Sequence, residues 1–168
     1  MRAAIAIPAT IIVAAIAFAR PAHADSKLLA DLQGRFDASP DKAKAKLGCK
    51  GDWTTDTSGP ATTLTCAASS QTQVVVSGGA VVAMGMPLVD RGTDRAATDA
   101  FKAGTAELAA AKCKSLAARG QMTVQQCPGR FAVILLLNWN SKDNTNTTTA
   151  MFGPADQMLA LVGIKPAP

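Results

Sequence analysis

Four cysteines, Cys49, Cys66, Cys113 and Cys127, follow a segment laid out like a secretory signal, and this combination constrains the fold most. An exported chain meets an oxidising compartment, where an even number of thiols is expected to form disulfides. Four cysteines allow three pairings. Cys49–Cys66 with Cys113–Cys127 is the expected one, because both closures are local. Each loop of this size restricts the unfolded chain enough to stabilise the fold by about 3 kcal/mol in the chain-entropy account. Reactive dithiols are usually close in sequence, as in Cys-x-x-Cys, and no pair here has that spacing. A zinc site needs a second thiol or a histidine close by, and the only histidine, His23, lies in the leader. The cysteines therefore read as structural staples.

Met1-Arg2 opens the leader, Ala3 to Ala19 form an uncharged Ala/Ile-rich run, and Ala22-His23-Ala24 makes a small-x-small cleavage site. The apolar run contains Pro8 and is shorter than the roughly 20 residues that span a bilayer comfortably. We expect residues 1–24 to be a cleaved signal peptide, with residues 25–168 as a single domain; an uncleaved N-terminal anchor is the alternative. No cysteine closely follows the run, so lipoprotein processing lacks its thiol. Cleavage removes Arg2 and Arg20 from a formal net charge of +5, leaving too little to argue for a nucleic-acid partner. No later window resembles a transmembrane span.

Ser26 or Asp25 can cap a helix whose apolar positions Leu28, Leu29, Leu32 and Phe36 recur at helical spacing. Ser39-Pro40-Asp41 is a second start signal, and Gly48 a stop. Two short helices, or one kinked helix, are expected over 26–47. Trp53-Thr54-Thr55, Thr62 to Cys66, Gln73 to Val76 and Ala80 to Met84 then read as strands of an antiparallel meander. Turns are expected at Ser58-Gly59-Pro60, Ser69-Ser70 and Ser77-Gly78-Gly79, and Pro87 is expected to end the last strand. A long helix is predicted from Thr93 or Asp94 to about Ala118, with Ala97, Phe101, Leu108 and Leu116 on one face. Phe131 to Leu137 reads as a strand buried on both faces at the centre of the sheet. A half-exposed, Thr-rich strand ending near Phe152 and a short helix over 154–162 complete the chain. The class is α+β, order α-β-β-β(-β)-α-β-β-α, with helices on one face of an antiparallel sheet and two disulfides. No internal repeat is legible.

Several constellations carry possible chemistry. Met84-Gly85-Met86 has the spacing of a soft Cu(I) ligand pair, but both thioethers also point to one strand face as core filling. Lys42, Lys44, Lys46 and Lys50 form one basic cluster, and Lys112, Lys114 and Arg119 another. Either would suit an anionic surface, or simply a solvated face. Trp53 and Trp139 are expected at core margins, the first beside a disulfide. Ser115 near Lys112 and Lys114 lacks the Ser-x-x-Lys spacing, and Asp90 and Asp94 sit with Arg91 and Arg95 in a charged turn. Asn146-Thr147-Thr148 matches a glycosylation acceptor. No catalytic set, resident metal or cofactor is expected. The sequence therefore points to a periplasmic or secreted, non-enzymatic protein that binds an envelope protein or an anionic surface. A His-independent hydrolase or transferase, or a copper-handling protein using Met84 and Met86, is the alternative.

Overall fold

Ser26 caps the first helix as its side chain allows, accepting the Leu29 amide at 3.1 Å. In a computed structural model that describes residues 26–141 and 143–166, this helix, α1, runs Lys27–Arg35. The second, α2, runs Pro40–Leu47, with Pro40 in its first turn and Gly48 in a left-handed cap. The expected leader, its cleavage site and His23 lie outside the described residues.

A meander follows: β1 (Trp53–Asp56), β2 (Thr62–Cys66), β3 (Ser69–Ser77) and β4 (Ala80–Gly92). Gly78 and Gly79, at φ of 59° and 82°, make the tight β3–β4 turn that side-chain-bearing residues disfavour. Two expected boundaries are corrected. Ser69-Ser70 belong to β3, and the turn sits at 67–68. Pro87 does not end β4, which continues to Gly92. The ring falls where β4 shifts register against its neighbour, between Pro87 and Val89, and a missing N–H is tolerated at such an irregularity.

The long helix, α3, spans Asp94–Ala110 and stops short of the expected Ala118. Lys112 adopts φ of 63°, and the chain turns into β5 (Lys114–Arg119) and β6 (Met122–Cys127). Local alanine content favours helix there, but pairing with β6 and the Cys113–Cys127 bridge override it. β7 (Phe131–Asn140), β8 (Thr145–Pro154) and α4 (Ala155–Leu161) complete the fold.

All eight strands form one antiparallel sheet in the order β1-β2-β3-β4-β8-β7-β6-β5. The molecule is thus more sheet-rich than its expected α+β order. The centre is β4 against β8, so β7 lies one strand off centre, and the Thr-rich β8 is buried rather than half exposed. The order also contains a repetition that the sequence hides. The first half runs two helices, a cysteine and four strands, and the second runs one helix, a cysteine and four strands. Each disulfide ties the cysteine shortly after the helix to the last residue of that half's second strand. The halves meet at the pairs Met84–Phe152, Gly85–Met151 and Met86–Ala150.

The helices occupy both faces, contrary to the one-sided arrangement expected. On one face α1, α2 and α3 cover Val74, Met84, Val133, Leu135, Ala150 and Phe152. An aromatic chain links α1 to the sheet, with Phe36–Phe131 and Phe131–Phe152 centroids 6.0 and 6.2 Å apart. On the other face the short α4 places Ala155, Met158 and Leu159 over Val75, Ala83, Ala132 and Ile134. The first half of β7 is accordingly apolar on both alternations, because α3 covers one of its faces and α4 the other.

Candidate functional site

Strand alternation decides which side chains the α4 face presents. Ala132, Ile134, Leu136 and Asn138 of β7 share that face, as do Thr147, Thr149 and Met151 of β8. So do Met122 and Val124 of β6, and Gln73 of β3 opposite Gly85. α4 touches β4, β8 and β7, at the end of the sheet where β8 runs out. Beyond it no helix covers the face, although Thr147 and Thr149 are themselves buried, the latter against Gln71. Leu116, Ala117, Met122, Leu136 and Met151 are half-buried there, packed against the α4 cluster without being covered by it. Thr54, Asn138 and Arg119 are exposed.

Two concavities flank this surface. Beside α4, a space of about 490 Å³ is lined by Pro60, Ser77, Gly78, Val82, Gln157, Ala160 and Leu161, the last 43 % exposed. At the opposite end, a polar cleft of about 290 Å³ is lined by Ser70, Gln71, Asp90, Arg91, Asn138, Trp139, Asn140 and Thr147. From its lining, Gln71 Oε1 accepts the Thr149 hydroxyl at 2.9 Å, holding β8 to the start of β3. Near its rim the Thr145 hydroxyl donates to Asp143 at 2.6 Å and, with a weaker contribution from Arg91, holds that carboxyl below its usual range.

The residues singled out in the sequence scatter. The structure pairs Cys49 with Cys66 and Cys113 with Cys127. Met84 is fully buried beneath the helices and Met86 packs on the same cluster, so both thioethers serve as core. In the first basic cluster, Lys44 pairs with Asp41 at 2.9 Å and Lys46 with Asp37 at 3.3 Å, which neutralises much of it. The Ser39 amide, reinforced by Lys46, holds the Asp37 carboxyl below its usual range. Trp53 faces Cys66 across the β1–β2 pair, beside the disulfide. Trp139, by contrast, is 61 % exposed at the end of β7. Ser115 lies on the edge strand β5, and Asp94 in the first turn of α3. Asn146, Thr147 and Thr148 are all buried in β8, so the glycosylation acceptor is closed to a folded chain.

Sequence reasoning missed the open face because it missed β5 and β6. The alternation Met122, Val124, Gln126 was the available signal, and it was masked by the alanines before it. Among the described residues no helix is long and apolar enough to cross a membrane, and no group of three or more His, Cys, Asp or Glu side chains is placed to hold a metal ion. Compared with known proteins, the chain matches no protein-family model, no curated protein and no solved structure.

Proposed function

We propose that this is an exported, non-enzymatic binding protein, periplasmic or secreted, that holds another protein against the uncovered part of its sheet. One observation carries the reading: α4 seals only one end of that face, and the remainder combines half-buried Met122, Leu136 and Met151 with exposed polar groups. An apolar centre inside a polar rim is the anatomy of a protein interface. Two disulfides, with β7 packed under α3 on one face and under α4 at its start on the other, supply rigidity, so little conformational freedom is lost on docking. The disulfides also fit folding in an oxidising, exported location.

The test is a photo-crosslinking amino acid placed at Met122 or Asn138, on the open face, with Lys102 on the outer side of α3 as control. Partner adducts from Met122 and Asn138, and none from Lys102, are the expected result. Adducts from Lys102 alone would move the binding surface to the helices and overturn the assignment.

A further inference from the structure

Resting on that reading, we infer that the partner protein is acidic where it meets the β5–β7 side of the open face. Charge is segregated along this chain. Residues 108–141 contain Lys112, Lys114, Arg119 and Arg130 and no carboxylate side chain, whereas residues 51–90 contain Asp52, Asp56 and Asp90 and no Lys or Arg. The sheet order converts this into geometry, because β5 and β1 are its opposite edges. Pairing of Lys114 with Gln126 and Arg119 with Met122 puts both cations on the open face, around half-buried Leu116 and Met122.

Several bases of the molecule are already held by a carboxylate, whereas Lys102 and Lys112, like Lys114 and Arg119, have no ion pair among the described residues. Arg130 is held by Asp156 at 2.8 Å, and Lys44 and Lys46 have their own aspartates. Lys114 and Arg119 form no ion pair among the described residues, although both are exposed. Unpaired charge at the rim of an apolar patch steers a complementary surface and repels a like one. An acidic partner surface satisfies the β5 side.

A second copy of this chain fits less well. Turning a copy face to face about the strand direction brings β5 over β1, but it also brings the two α4 helices together over the central strands. The perpendicular turn separates the helices and sets β5 against β5, like charge on like. A different protein with an acidic surface satisfies charge and shape together.

The experiment combines K114E and R119E in the Met122 crosslinking protein, with K102E as charge control. Adduct yield is compared at matched thermal stability, in low and high salt. The inference expects a drop of roughly tenfold or more for the double variant, little change for K102E, and loss of native adducts as salt rises. Undiminished adducts in the double variant would overturn the acidic partner while leaving the open face as binding surface. Absence of any Met122 adduct from the native protein would overturn both. A Met122 adduct to another copy of this chain would replace the partner with a homodimer. Binding of the native protein, but not the double variant, to phosphatidylglycerol vesicles without a protein adduct would replace it with a lipid surface.

Discussion

Glu107 accepts the backbone N–H of Leu28 at 2.6 Å and the hydroxyl of Ser26 at 3.2 Å, so the only glutamate in the chain caps a helix that begins nearly eighty residues earlier. The carboxylate comes from the last turns of α3 and sits at the positive end of α1, where a negative charge is favourable. It fastens α1 to α3 on the same face of the sheet.

Replacing Glu107 with Ala should therefore destabilise the fold by about 1–3 kcal/mol, the range for a hydrogen bond to a charged group and for leaving its donor unmet. Amide exchange at Leu28 should accelerate more than exchange in β7. A denaturant midpoint equal to that of the native protein would contradict this role.

Each disulfide closes a loop of similar size, with sequence separations of 17 and 14. Converting either pair to alanine should cost about 3 kcal/mol. Non-reducing peptide mapping should recover Cys49 linked to Cys66 and Cys113 linked to Cys127, and free thiols in protein from an oxidising compartment would count against it.

Leu135 is fully buried beneath α3, and Thr148 donates its hydroxyl to the Ala97 carbonyl at 2.6 Å with no exposure. Leu135→Ala should cost about 2–5 kcal/mol through the cavity it leaves. Thr148→Val keeps the shape and removes one hydrogen bond, for about 0.5–1.5 kcal/mol. Urea midpoints for the two variants should rank in that order.

At Gly153 an added Cβ would stand 2.6 Å from the Val82 carbonyl oxygen, a backbone atom that cannot swing aside. Gly153→Ala should lose about 1–3 kcal/mol by forcing β4 and β8 apart. Stability equal to the native protein would show that the central strand pair can shift.

Acid should act on a small set of carboxylates. Asp37, Asp56 and Asp143 are each held below the usual range, chiefly by the Ser39 amide, the Ser58 amide and the Thr145 hydroxyl. A depressed folded-state value contributes stability above the unfolded value and loses it as pH falls through the folded one, so the decline belongs below about pH 4. From Asp25 onward the chain has no histidine, and stability should be level between about pH 5 and 7. Thermal midpoints across pH 2.5–7 check both halves of the statement.

Much of the scaffold was legible because its signals are local. Ser26, Pro40 and Gly48 delimit two helices by capping chemistry, and Gly78-Gly79 requires a tight turn, without reference to distant residues. The apolar run from Phe131 announces a doubly covered strand for the same reason. Errors came where local preference and distant pairing disagree. Alanines around Leu116 favour helix, yet hydrogen bonding to β6 and a bridge to Cys127 make the segment a strand. Threonines of β8 look half exposed, yet α3 packs on Thr148 and the Gln71 side chain reaches Thr149, and both are buried.

Residue identity by itself determined the oxidising chemistry of four cysteines, the helix caps, the hairpin turn and the segregation of acids from bases along the chain. Only the tertiary structure decided that β4 joins β8, that two four-stranded halves share one sheet, and that α4 covers one end of its second face. Those outcomes depend on contacts between residues far apart in sequence, whose favourable burial appears only once the loops between them have closed. The open face, with Lys114 and Arg119 beside Met122, exists only because of that closure.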